Sequence, residues 1–471
     1  MEDWSLMREY CTRMLSDSGA NVVKAARLLQ LEHMPCIAHT LHLIVGGAMI
    51  KAKSKTNPTE MSWLDNVNAE SDVPILEHEE DEQLSNNDRE GMESLREFAI
   101  NDINSYLDST ISSLQRSEMD AVRVIVQHFR TLAVYFRKSP KARNRLNCPT
   151  RWSSCWLMLQ RLLHLQDALA SFFSHLHTFE GQQEFKDMKS KLRKPKTTDW
   201  LAINCLTTLL SPFSTAIKAL GGGQKYPTVT LVLPVLSGMR RWLSRENLFE
   251  PHKAAAGAED DVDSTILMMN ECRDSMLDLF NLRFSELEKS DLAWITLLDP
   301  CMVKQMPHLT TATIPRACED LVRAAIAMAA EEHNTPFNRR SHVGDTNNAV
   351  VFDLHGFLYG SQGSEAPQTD WIQLTEELRM YLADAKRSAT DRTSPFDWWR
   401  TRKTVYPNLS MLARKWLGVV ATSVPSERAF STSGNVVSVK RASLTPRMVR
   451  DIVFVSENWH RYAEKEDTRD Y

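Results

Sequence analysis

Apolar positions along the chain fall into two regimes. The first is brief. Cys11 to Leu15 is a short apolar run ending at Asp17, Ser18-Gly19 reads as a turn, and Asn21 to Leu29 carries helical spacing. An acidic residue at the end of a strand is presented at the sheet's C-terminal edge, the usual seat of chemistry in α/β folds. Pro35 to His39 is expected to form another short strand, followed by the apolar stretch Leu41 to Met49. The second regime opens near Asn101, where apolar residues recur at helical spacing: Ile125, Phe129, Leu132 and Phe136, then Trp156, Leu159, Leu162, Leu163 and Leu169. Strand-like alternation is scarce there, which predicts a large helical domain. Gly221-Gly222-Gly223 interrupts it, and Tyr226-Pro227-Thr228 starts the next apolar segment, Val229 to Leu236. The polar stretches around Glu250 to Asp263 and Thr335 to Asn348 read as loops.

Lys51 to about Glu97 separates the two regimes. Ten acidic residues between Glu70 and Glu93 face Arg89 alone, and a block of like charge stays solvated, so this reads as a disordered insertion. The domains expected are therefore 1–50, the acidic insertion 51–100, a helical domain 101–404 and a C-terminal part 405–471. At 471 residues the chain exceeds a single core of ordinary size. Its 42% hydrophobic and 25% charged residues fit a globular protein. A formal charge of −4 gives no whole-chain reason to bind nucleic acid, so any such binding must use local patches. Eight cysteines without paired spacing suggest a reducing compartment. Neither a signal peptide nor an apolar run long enough for a bilayer is evident, leaving cytosol or nucleus and no membrane partner.

The densest information lies in Ala421 to Trp459. A helix opening at Ser423 tolerates Pro425 in its first turn, carries Glu427 early and ends near Gly434. Lys440 and Arg441 follow in a loop, and Thr445 caps a second helix with Pro446 at its first position. Met448, Val449, Ile452, Val453, Phe454, Val455 and Trp459 do not keep to one stripe, so that helix needs partners on more than one side.

Ser426-Glu427-Arg428-Ala429-Phe430-Ser431, Gly434, Lys440-Arg441, Leu444, Pro446 and Asn458 resemble the C-terminal region of hAT-superfamily DNA transposases and the host proteins derived from them, including the zinc finger BED type. Asp17-Ser18-Gly19-Ala20-Asn21 with Lys24-Ala25 looks like the segment holding that family's second catalytic aspartate, and Glu427 like its third acid. The resemblance implies an incomplete RNase H-like α/β core interrupted by a large helical insertion domain. It also implies a nuclear, DNA-binding protein that forms a homodimer or higher homo-oligomer. Carboxylates suit such chemistry because hard Mg²⁺ ions, about 3.5–4 Å apart in two-metal sites, stabilise attacking and leaving oxygens alike. Asp17 and Glu427 are the expected catalytic and metal-binding residues. The family's first aspartate lies on a strand upstream of Asp17, and this chain begins sixteen residues before that position. The opening strands and the first acid are thus expected to be missing, as is the BED finger that often precedes this architecture.

Other motifs divide between structure and DNA. Cys36-Ile37-Ala38-His39 suggests zinc by residue type, but a structural zinc site needs four ligands and no second pair is present. The residues alone favour a buried Cys and a satisfied His; the family's C-x-x-H motif implies a place near the active site and the transposon end. Thr150-Arg151-Trp152-Ser153-Ser154 follows a basic run, and a basic run beside an aromatic suits phosphate contact with base stacking. It resembles the family's R-W-x-S motif, whose tryptophan is associated with a flipped base. Cys36, His39, Arg151, Trp152, Lys440 and Arg441 are the DNA-binding candidates, and Val449, Ile452, Val453, Phe454 and Trp459 the dimerisation candidates. A second basic cluster, Lys186 to Lys196, reads foremost as a solvated surface. Leu298-Asp299-Pro300, Trp398-Trp399, Tyr406-Pro407 and Leu409 to Arg414 read as packing positions. Three functions follow: a DNA-binding, dimerising transposase-derived protein without a complete catalytic site, the truncated product of an active Mg²⁺-dependent transposase, or a helical interaction module without DNA affinity.

Overall fold

The computed structural model describes residues 13–16, 20–49, 113–139, 155–185, 192–221, 226–257, 261–285, 287, 290–304, 306, 309–334, 366–390, 392–424, 426, 445, 447–452 and 454–455. The acidic insertion and the Thr335 to Asn348 loop lie outside these residues. The elements run β1 (Met14–Ser16), α1 (Ala20–Leu28), β2 (His33–Pro35), α2 (Ile37–Met49), α3 (Ser113–Lys138), α4 (Cys155–His164), α5 (Gln166–Leu176), α6 (Phe179–Glu184) and α7 (Thr197–Gly221). They continue with α8 (Thr228–Leu243), α9 (Glu250–Ala256), α10 (Val262–Phe284), α11 (Leu292–Thr296), α12 (Pro300–Val303), α13 (Thr313–Asn334), α14 (Ala366–Ser388), α15 (Pro395–Arg402) and α16 (Pro407–Trp416). The described residues are overwhelmingly helical, as the periodicity predicts. The break at Gly221 and the start at Thr228 fall where the sequence places them.

Two compact units are distinguishable, the first comprising residues 1–37, 219–238 and 284–422, the second 38–218, 239–283 and 423–471. In the first unit β1 and β2 pair in parallel, Met14 opposite His33 and Ser16 opposite Pro35. Parallel neighbours need a crossover, here α1. Arg13, just ahead of β1, fixes the strand's entry. Its guanidinium lies 5.4 Å from the Trp416 ring centre and pairs with Glu32 and Asp291. Trp294 meets Trp416 edge-on at 5.3 Å and donates its Nε1–H to Asp291 Oδ1.

The rest of this unit is a helical core in which α13 packs on α14 and α16. Tyr381, Trp398, Trp399 and Tyr406 form its aromatic centre, with Tyr381 stacked on Trp399 at 4.8 Å and each of the four buried. Such pairs add about 0.5–1.5 kcal/mol beyond their burial. The α11–α12 turn satisfies two of their polar atoms, Tyr381 OH donating to Leu297 O at 2.7 Å and Trp399 Nε1–H to Leu298 O at 2.7 Å, while Trp398 Nε1–H donates to Ser388 Oγ at 3.0 Å. Asp299 is fully buried and accepts from Tyr226 OH, Thr230 Oγ1–H and the Cys301 N–H. Burial pushes its carboxyl up, and those donors oppose the shift. The packing role expected of Asp299, Trp398, Trp399, Tyr406 and Leu409 is what the structure shows.

In the second unit α3 packs on α4 and α4 on α5. Phe136 meets Phe172 at 5.0 Å, Phe172 meets Phe185 at 5.4 Å, and Leu159, Leu162 and Leu169 are buried around them. The α5–α6 turn requires glycine, since a Cβ on Gly181 would fall 2.0 Å from His175 O.

Three expectations need correction. Pro35 to His39 is not a strand: β2 ends at Pro35 and α2 begins at Ile37. Ile37, Ala38, Leu41, Leu43 and Ile44 are buried, and a continuous apolar run buried on several sides reads alike as strand or helix. Glu250 to Asp263 is not a plain loop, because Pro251 opens α9 and α10 starts at Val262. Helix α9 buries none of its residues, so it leaves no apolar period to read. Finally, α7 is long and apolar enough to cross a bilayer, contrary to the expectation that no such run exists. More than half of its most apolar window is buried inside the protein, as in a core helix.

Candidate functional site

The sequence candidates divide sharply in the structure. Asp17, Glu427, Arg151, Trp152, Lys440, Arg441, Val453 and Trp459 lie outside the described residues. Cys36, His39, Val449, Ile452 and Phe454 lie within them.

Inside the first unit a run of hydrogen bonds links the residue before Asp17 with Ala421 and Thr422. Ser16, the last residue of β1 and the one before Asp17, accepts the Cys36 N–H through its carbonyl at 2.7 Å. The next amide, Ile37 N–H, donates to Ala421 O at 3.3 Å. Ala421 N–H in turn donates to Thr228 Oγ1 at 3.0 Å, and Thr422 Oγ1 donates to Leu220 O at 3.4 Å. Ala421, Thr422 and Thr228 are buried, so water does not compete for these bonds. Consecutive amides after β2 therefore hold both the residue ahead of Asp17 and the segment that runs on toward Ser423. Val424 and Ser426 are helical, as the predicted helix opening at Ser423 requires. Sequence reasoning missed Thr228 and Thr422. Their only signal was a threonine at a helix start after Pro227, which reads as a cap.

Cys36 sits between β2 and α2, buried to 1% exposure, and His39 is half-buried in the first turn of α2. One turn on, burial and then the nearby His39 push His42 down to about 4. No group of three or more His, Cys, Asp or Glu side chains that could hold a metal occurs among the described residues.

At the C-terminal end, Thr445 caps its helix as predicted: its Oγ1 accepts the Met448 N–H and its carbonyl the Val449 N–H at 3.1 Å. Met448, Ile452, Phe454 and Val455 are 51%, 40%, 60% and 53% exposed, while Val449 is half-buried. Met448, Ile452, Phe454 and Val455 thus keep a large share of their apolar surface accessible.

Comparison with known proteins bears on the same end. Residues 377–459 match the hAT family C-terminal dimerisation region, which supports homo-oligomerisation. Across 338 residues, 68% of this chain, it is 21% identical to the human zinc finger BED domain-containing protein 4, covering 26% of that protein. It is likewise 21% identical over 324 residues to the Arabidopsis thaliana zinc finger BED domain-containing protein DAYSLEEPER, covering 66% of this chain and 40% of that one. Over 85 residues, 18% of this chain and 10% of the other, it is 31% identical to a putative AC transposase of Zea mays. The chain therefore spans about a quarter to two fifths of the length of the BED-type relatives it matches. A C-terminal dimerisation region of hAT type and a likeness to BED-type proteins over two thirds of its length together support a hAT-transposase-derived origin for the chain.

Proposed function

We propose that the protein is a nuclear, DNA-binding homodimer that retains the hAT assembly surface without cutting DNA on its own. The observation that carries the reading is the coincidence of the matched dimerisation region with a helix that exposes Met448, Ile452, Phe454 and Val455. A second copy of the chain would remove those side chains from water, at about 25 cal/mol per Å² of apolar surface covered. Val453 and Trp459 belong to the same proposed surface. For DNA, Arg151, Trp152, Lys440 and Arg441 are the proposed contacts, with Cys36 and His39 beside the end of β2. Asp17 and Glu427 are proposed as two members of a hAT acid set on an RNase H-like core. Supporting this are the parallel β1–α1–β2 unit and the bonds that tie Ser16 and Ala421 to adjacent amides. Mg²⁺ would be needed only if the acids act. The likeness to BED-type proteins and to a transposase supports the nuclear setting.

Light scattering coupled to gel filtration tests the assembly. The wild-type chain is expected to elute as a dimer or larger. Ile452→Asp with Phe454→Asp is expected to raise the dissociation constant at least tenfold, since burying either charge costs about 1.4 kcal/mol or more. A wild-type chain that is monomeric at tens of micromolar would refute the reading.

A further inference from the structure

The cations of the segment leading into α7 stand apart from every residue used above. Residues 186–196 hold Lys186, Lys189, Lys191, Arg193, Lys194 and Lys196 against Asp187, in a chain whose formal charge is −4. Of these, Arg193, Lys194 and Lys196 are described, and all three are exposed. Their backbone is pinned at three points. His128 Nε2–H donates to Arg193 O at 2.8 Å, Pro195 is buried, and Lys196 N–H donates to Asp199 Oδ2 at 2.8 Å.

Those anchors fix the backbone that carries the three charged side chains, while the side chains themselves stay exposed. Among the described residues one carboxylate lies against these cations. Asp199 is the acid in contact, with its side chain 11% exposed; it also lies 3.5 Å from Arg193 Nη2 and 3.7 Å from His128 Nδ1. Three cations against that one carboxylate leave a net positive rim. Arg193, whose side chain is 60% exposed, keeps donors free for another partner.

We infer that Arg193, Lys194 and Lys196 form a preorganised contact for the phosphate backbone of duplex DNA. The inference rests on the DNA-binding reading proposed above and adds the surface that would supply sequence-independent affinity. Each phosphate neutralised releases condensed counterions, so the logarithm of the binding constant falls with the logarithm of salt by about 0.9 per contact.

Fluorescence anisotropy with the full chain and 30-base-pair duplexes of unrelated sequence, over a sodium chloride series, tests this. Arg193→Gln, Lys194→Gln and Lys196→Gln combined should flatten the slope by about 2 to 3 units for every duplex alike. Lys194→Arg with Lys196→Arg should keep the wild-type slope, which separates lost charge from a disturbed fold; circular dichroism melting of the triple variant completes that control. An unchanged slope in the triple variant, with wild-type binding intact, overturns the assignment and spares the DNA reading. Absence of duplex binding by the wild-type chain overturns both. If the triple variant loses binding to polyglutamate while its duplex slope is unchanged, the surface serves an acidic protein and the assignment also fails.

Discussion

A single histidine carries the clearest pH dependence in the molecule. His42 is held down to about 4 by burial, with His39 adding to the shift. The unfolded chain takes up that proton near the ordinary histidine value, about 6.5, while the folded chain refuses it until about pH 4. Unfolded protein therefore binds more protons between those values. The contribution to stability is complete above about 6.5, falls as pH drops through the window and levels off below about 4. Over the whole window the loss is of order 3 kcal/mol. Urea unfolding of wild type and His42→Asn at pH 7, 6, 5 and 4.5 should give a flatter profile for the variant. Parallel profiles would show that His42 has no part in acid sensitivity. The buried thiols of Cys205 and Cys272, both pushed up to about 12 by burial, stay protonated throughout and add nothing to that window.

At the scale of elements, α16 shows how one helix completes another. Its N-cap, Tyr406, offers no side-chain acceptor, and Pro407 removes one amide from the first turn. Glu377, a turn ahead of Tyr381 on α14, supplies what is lacking: its Oε1 accepts the Leu409 N–H at 2.9 Å and its Oε2 the Asn408 Nδ2–H at 2.9 Å. A carboxylate at a helix N-terminus also complements the positive end of the dipole. Glu377→Ala is expected to cost about 1–2 kcal/mol and Glu377→Gln less, because one acceptor remains. Faster hydrogen exchange at the Leu409 amide would register the loss, and unchanged exchange would contradict it. Such a cap was not legible in the sequence, since Glu377 and Leu409 meet only after α14 and α16 pack. What was legible were the signals that depend on neighbours in the chain: the helix stop at Gly221, the Thr445 cap, and the paired tryptophans as core. The C-x-x-H run was misread as strand because Pro35 to His39 alone is too short to show a period, whereas the buried Ile37, Leu41 and Ile44 taken together carry helical spacing. Thr228 and Thr422 escaped notice for the same reason as Glu377: their partners, Ala421 N–H and Leu220 O, lie about two hundred positions away in the chain.

For the whole molecule the question is what the dimerisation region and the proposed DNA contacts would do together. Matching the dimerisation region over 377–459 speaks for assembly, and assembly alone would bring two DNA-contacting surfaces together and raise their joint affinity through effective concentration. Cleavage is a different demand. Two-metal phosphoryl displacement needs enough carboxylate oxygens to hold both cations and neutralise developing charge. By resemblance this chain supplies Asp17 and Glu427 to such a set. The expected result with labelled duplex, Mg²⁺ and purified full chain is retention without strand scission. Glu427→Ala should then leave duplex affinity within about twofold of wild type, a difference under 0.5 kcal/mol, because a residue that neither cuts nor pairs with phosphate contributes little to holding DNA. Mg²⁺-dependent nicking that disappears in Glu427→Ala would instead establish a working acid pair and make the protein a nuclease.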